Sequence, residues 1–226
     1  MTITPVAFFR SPLTSKFGIP RQSGIADNLP GSIVLEPEYR SPDAVRGLEE
    51  FSHLWLLWGF SANRHDAVGL TVRPPRLGGN ERVGVFASRS PFRPNGLGLS
   101  SVSIEKVELT ASYGPVIHVL GADLMDGTPI YDIKPYVAYT DSHPEARCGF
   151  VDQHRWQTLN VEMPPEIIRH FTDSELAALK QLLEQDPRPQ YHDDAQRIYG
   201  MVYAGRDVRF RVEGTTLCVT EVKETA

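Results

Sequence analysis

The stretch GLGLSSVSIEKVEL, residues 96–109, decides between two fold classes. Its opening GLGLSS has the glycine spacing of a dinucleotide-binding turn, but that turn needs a strand before it and a helix after it, so that a pyrophosphate meets a helix N-terminus. Here Arg93, Pro94 and Asn95 precede the glycines, and apolar alternation follows them. Val102 and Ile104 alternate with polar residues, and the pattern resumes at Val107 and Leu109, one residue out of step. A β-bulge near Glu105 accounts for the slip. The stretch therefore reads as one long strand, and the Rossmann class falls away.

The chain on either side has the same grammar. Eighteen prolines and eighteen glycines cut the first two-thirds into short pieces typical of β structure. Strands are expected at PVAFFR, IVLEP, HLWLLWGF, RVGVFAS, VIHVL and PIYDIKPYV. One short helix is expected between them, with Ser41 as N-cap and Pro42 at the first helical position, running through DAVRGLEEF. After Asp141 the chain becomes a polar connector with room for one strand. Thr172 and Glu175 then stand in capping-box spacing ahead of Leu176, Leu179, Leu182 and Leu183, a stripe that reads as core. RIYGMVYA, DVRFRVEG and TTLCVTEVK close the chain as strands joined by tight turns. The organisation is mainly β with an α+β appendage: residues 1–145 form a β-rich domain and residues 146–226 a small α+β domain.

Composition bounds the function. The 226 residues are 41% apolar and carry a net charge of -5, which argues for a globular chain and against broad coating of a polyanion. Cys148 and Cys218 are too far apart to suggest a disulfide framework, and the N-terminus has no long apolar core, so a reducing, cytoplasmic setting is expected. The longest apolar run, LWLLWGF, is too short for a bilayer, so no membrane partner is expected. The histidines show no ligand spacing, and no metal is expected. RLGGNERVG lacks the ending of a P-loop, and the chain has no Gly-x-Ser-x-Gly elbow.

What remains is arginine. From Val72 to Gly98 the chain places Arg73, Arg76, Arg82, Arg89 and Arg93 among loop-forming residues, against one acid, Glu81. Only arginine offers the fixed fork that binds carboxylate or phosphate bidentately, so this segment reads as an anion site. A second cluster, LMDGTPIYDIKPYVAY, puts Asp126, Asp132, Lys134, Tyr136 and Tyr139 within one hairpin's reach. A simple turn at Asp126 is the plainer reading of its first residues.

FGIPRQ, AVRGLEEFSHLW, TVRPPRLGGNERVGVFASRSPFRPNGLGLS, DLMDGTPIYDIKPY and QDPRPQY, in this order, resemble the TsaA-like, or TrmO, tRNA methyltransferases. The resemblance implies a single-sheet β-barrel methyltransferase that works as a homodimer. It also implies transfer of a methyl group from S-adenosylmethionine to N6 of N6-threonylcarbamoyladenosine at position 37, in the tRNA anticodon loop. Carried over by motif, the cofactor pocket draws on Pro20, Arg21, Gln22, Phe60, Ser61, Arg89 and Leu99, and on the turn Leu120, Gly121, Ala122 and Asp123. The family's proline after Arg-Pro-Asn is Gly96 here.

In such a reaction the cofactor brings the activated carbon, and the protein supplies position and field. Asp126 is the candidate proton acceptor, with Asn95 and Tyr131 as hydrogen-bond partners of the base and Arg89 as clamp for the cofactor carboxylate. Arg73, Arg76, Arg82 and Arg93 are candidates for tRNA phosphates. Lys134 and Arg93 are candidates for the threonylcarbamoyl carboxylate. Two other readings stay open: a non-catalytic RNA- or cofactor-binding module, and an enzyme for another small substrate on the same barrel.

Overall fold

A computed structural model describes residues 2–62, 69–74, 81–152, 157–189 and 194–225. In its first part, β1 (Ala7–Arg10), β2 (Pro30–Leu35) and β3 (His53–Gly59) lead to a ribbon of β4 (Thr71–Val72) and β5 (Val83–Gly84), followed by β6 (Leu97–Thr110), β7 (Gly114–Leu120) and β8 (Pro129–Pro135). All but the ribbon close into an antiparallel barrel of order β1-β2-β7-β6-β3-β8. Closure leaves no unpaired edge. Strict alternation on β3 sends Leu54, Leu56 and Trp58 inward to meet Phe9, Ile33, Val102, Ile117 and Ile130.

The bulge read from residues 96–109 is present: Ile104 pairs with Val119 and Lys106 with His118, which leaves Glu105 as the extra residue. Two expectations fail locally. RVGVFAS keeps only Val83–Gly84 as strand and then turns as a 3-10 segment, Val85–Ala87, because its partner β4 ends after two residues. The helix expected after Ser41 is two 3-10 turns, Pro42–Val45 and Leu48–Glu50, broken where Gly47 takes φ 82°, outside helical geometry. Ser41 does cap the first turn, its Oγ accepting from Asp43 N.

A second core follows. α1 (Ala138–Asp141), β9 (Asn160–Glu162), α2 (Pro165–Ile168), α3 (Asp173–Glu184), β10 (Tyr199–Tyr203), β11 (Arg206–Glu213) and β12 (Thr216–Glu224) complete the chain. The last three strands and β9 form a sheet of order β10-β11-β12-β9, with β9 parallel to β12. Thr172 and Glu175 make the full capping box, and Leu179, Leu182 and Leu183 bury against Met201, Tyr203, Phe210 and Leu217.

The segment 11–29, between β1 and β2, joins this second core rather than the barrel. Leu13, Ala26 and Leu29 are buried in it, Phe17 stacks on Phe210 with centroids 6.4 Å apart, and Ala204 N donates to Pro12 O at 3.0 Å. It is a strap whose ends belong to the barrel and whose middle belongs to the C-terminal unit. Among the described residues no helix is long and apolar enough to cross a membrane.

Candidate active site

Four pieces of chain meet around a cavity of about 480 Å³: the middle of the strap, the end of β3, the loop into β6, and the turn between β7 and β8. That size suits a small-molecule site. The loop into β6 is shaped by its serines. Ser88 Oγ donates to Val85 O at 2.9 Å and accepts from Ser90 N at 3.3 Å, and Ser90 Oγ accepts from Phe92 N at 3.2 Å. Such local side-chain bonds replace strand pairing. They present Arg89 at the rim and Arg93 in the wall, where Arg93 Nη1 donates to Ser88 O at 3.0 Å.

At the end of this loop Gly96 takes φ 57°, and its N–H donates to Arg93 O at 3.0 Å. Proline could adopt neither that angle nor that bond, so this turn does not admit the proline that the family carries here. Gly96 O in turn accepts from Phe60 N at 2.9 Å, fixing the aromatic end of β3 to the arginine loop.

Three cationic side chains ring the opening with the strap. Arg89 Nη1 donates to Gln22 Oε1, Gln22 Nε2 to Arg21 O, and Arg21 Nη2 reaches Asp186 O at 3.4 Å. Lys16 also lines the wall. On the opposite side, the inward alternation of β3 delivers Trp58, whose indole lies over Gly98, its register partner on β6. A Cβ on Gly98 would stand 2.3 Å from Trp58 Cε2, so only glycine admits the ring there. Trp58 meets Phe60 edge to face at 4.4 Å. Its Nε1 donates to Ser100 Oγ at 2.9 Å, and Ser100 Oγ donates to Asp123 Oδ1 at 2.5 Å. Burial pushes the Asp123 carboxyl upward from its ordinary value, opposed by the Ser100 hydrogen bond, by backbone hydrogen bonds at Asp123 and Ser23, and by the charge of Arg89.

Pro20, Arg21, Gln22, Phe60, Ser61, Arg89, Leu99 and Asp123 all line this one cavity, as does Arg93. Leu120, Gly121 and Ala122 do not; Leu120 ends β7, and Gly121 exchanges backbone bonds with Gly24 and Leu29. Asp126 stands on the Met125–Thr128 turn but faces away, its Oδ1 accepting from Ser11 N at 3.1 Å and its Oδ2 3.8 Å from Arg10. Tyr131 is the unpaired residue of a β3–β8 irregularity and lies against Gly59, behind the cavity wall. Asn95 is exposed beside Gly96. Arg73 and Arg82 flank the ribbon at one end, both exposed, and Arg76 lies outside the described residues. Lys134 pairs with Asp132 at 2.7 Å and is the cross-strand neighbour of Trp55, which lines the cavity.

Sequence reasoning missed Trp58, Ser100, Met125 and Thr128. HLWLLWGF is apolar at almost every position, so the sequence does not say which way Trp58 faces, and nothing local links it to Ser100. Among the described residues no group of three His, Cys, Asp or Glu could hold a metal ion.

Residues 8–142 match the family model of the tRNA-methyltransferase O (TrmO) N-terminal domain, and residues 157–225 that of the TrmO C-terminal domain. The chain belongs to the TrmO family. A relative from Escherichia coli K12 named tRNA (adenine(37)-N6)-methyltransferase is 39% identical over 216 residues, covering 92% of this chain and 91% of its own. A Pyrococcus abyssi relative, named a probable S-adenosyl-L-methionine-binding protein, is 33% identical over 150 residues, 66% of this chain and 76% of its own. The crystal structure of TrmO from Pseudomonas aeruginosa matches with a TM-score of 0.79 at 32% identity, covering 99% of this chain and 98% of that one. The TrmO likeness thus runs through the barrel, the strap and the second core.

Proposed function

We propose that this protein transfers a methyl group from S-adenosylmethionine to N6 of adenosine 37 in tRNA, with N6-threonylcarbamoyladenosine as the acceptor. The cavity is the observation that carries the reading. Its arginine rim suits the cofactor's carboxylate, and its aromatic wall suits an adenine ring. The Trp58 and Phe60 faces also favour a cationic group beside them.

S-adenosylmethionine supplies a methyl carbon activated by a sulfonium sulfur. Arg89, held by Gln22, clamps the carboxylate end; Pro20, Arg21, Phe60, Ser61 and Leu99 enclose the rest and exclude water. Leu120, Gly121 and Ala122 support the turn that carries Asp123 rather than touching the ligand. Arg73 and Arg82, on the ribbon, and Arg76, between them in the chain, meet phosphates of the anticodon loop, whose unpaired bases are open to side chains. Arg93, in the cavity wall, receives the threonylcarbamoyl carboxylate, with Lys134 as a second cation nearby. Asn95, exposed on the loop beside Gly96, is the hydrogen-bond partner of the base, and Tyr131, against Gly59, backs the wall rather than touching the base. The active unit is a homodimer, and it works in the cytoplasm, where Cys148 and Cys218 stay as free thiols.

Labelled S-adenosylmethionine incubated with the protein and bulk tRNA tests this reading. Label should enter the tRNA and be lost when ribonuclease is added first. Binding without transfer would favour a non-catalytic module, and transfer indifferent to ribonuclease would favour another acceptor.

A further inference from the structure

Methylation of N6 obliges that nitrogen to give up its proton, because its lone pair is delocalised into the purine and the carbamoyl group. We propose that Asp123 is the acceptor of that proton and that Ser100 and Trp58 position it, an assignment that rests on the methyl-transfer reading above. Among the described residues Asp123 is the only acidic side chain lining the cavity. Asp126, three residues on, does not line it: its Oδ1 accepts from Ser11 N and its Oδ2 lies 3.8 Å from Arg10.

The carboxylate is oriented from behind. Trp58 Nε1 donates to Ser100 Oγ at 2.9 Å, which turns the hydroxyl proton of Ser100 toward Asp123 Oδ1 at 2.5 Å. The backbone at Asp123 and Ser23 also hydrogen-bonds this carboxylate, which with Ser100 makes three partners for about four acceptor positions and leaves one for an incoming N–H. The wall that holds Asp123 is the wall that carries Trp58 and Gly98, directly across β3 and β6.

The step balances without a further reactant. The N6 pair forms the new N–C bond, the C–S pair returns to sulfur as a neutral thioether, the N–H pair stays on nitrogen, and the proton moves to an Asp123 oxygen. A sulfonium and a carboxylate thereby become two neutral groups, which a partly dry cavity favours. Burial that raises the carboxyl's affinity for protons also makes it a stronger base near neutral pH. The proton leaves to water once the product has gone.

The experiment compares wild type, Asp123→Asn, Asp126→Asn and Ser100→Ala by single-turnover methyl transfer to tRNA across pH, with calorimetric S-adenosylmethionine binding on each. Asp123→Asn should cut the rate about 100-fold or more while its cofactor dissociation constant stays at the wild-type value, which also shows that it is folded. The wild-type rate should rise with pH as Asp123 ionises, and the residual rate of Asp123→Asn should lack that limb. Ser100→Ala removes a bond to the ionised form, so the limb should move to higher pH. Weakened cofactor binding with an intact maximal rate in Asp123→Asn would make Asp123 a ligand of the cofactor and overturn the proposal. Full activity in Asp123→Asn with a large loss in Asp126→Asn would return the role to the turn. A wild-type protein that transfers no methyl at all would fail the functional reading, and this assignment with it.

Discussion

Arg89 stands at the rim of the cavity with its guanidinium on Gln22, on a loop that Ser88 and Ser90 fold. Truncating one member of a charge-assisted pair costs about 2 to 5 kcal/mol, and the solvent-exposed rim puts Arg89 at the lower end. Arg89→Ala should therefore weaken S-adenosylmethionine binding by about 25-fold with an unchanged circular dichroism spectrum. An unaltered calorimetric affinity would remove Arg89 from the site. At this scale the motifs were legible: eight residues carried over for the cofactor share one cavity. The roles were less so. Asp123 is oriented by Ser100, 23 residues away in sequence, and Ser100 by Trp58, 42 residues away, contacts that exist only once β3 and β6 pair. Asp126 stood out because a turn aspartate beside Gly-Thr-Pro is conspicuous in sequence, whereas its direction depends on Ser11, 115 residues earlier.

The long strand β6 was legible because its alternation and its slip are local, and the bulge sits where the slip predicted it. The helix after Ser41 was misread because capping residues promise a start but say little about continuation, and Gly47 ends the turn. The strap was not legible at all: Leu13, Phe17 and Leu29 look like ordinary loop hydrophobics until α3 and β11 supply the surface that buries them. The pairing of Trp58 with Gly98 gives the sharpest test at this scale. Gly98→Ala drives a methyl into the indole, and overpacking of this kind costs about 1 to 3 kcal/mol. Chemical denaturation should show that loss together with a shifted tryptophan emission. A variant as stable as wild type with unchanged emission would mean that the indole does not lie on β6.

The whole molecule is two cores tied by a strap, so the C-terminal unit holds one wall of the barrel's cavity. The ribbon of β4 and β5 also leaves apolar side chains exposed at one end. Leu70 and Phe86 are 80% and 78% exposed, and they are brought together where Val85 N donates to Leu70 O at 2.9 Å. Neighbouring exposed hydrophobics of this kind mark interfaces. Phe86→Asp should convert the expected dimer to a monomer in sedimentation and lower methyl transfer, and the wild-type rate per chain should fall on dilution. A wild-type monomer with full activity would refute the shared assembly.

Methyl transfer to threonylcarbamoyladenosine differs from its near alternatives in the chemistry of the acceptor nitrogen. A threonylcarbamoyl group makes N6 a ureido nitrogen, more acidic than a plain exocyclic amine, and adds a carboxylate, for which Arg93 in the cavity wall is the proposed receptor with Lys134 as the second candidate. The direct measurement is mass spectrometry of nucleosides from tRNA incubated with the protein and S-adenosylmethionine, using tRNA with and without the threonylcarbamoyl group. Methylated threonylcarbamoyladenosine from the first tRNA, and no methyl accepted by the second, is the predicted result; plain N6-methyladenosine formed at a comparable rate would contradict it.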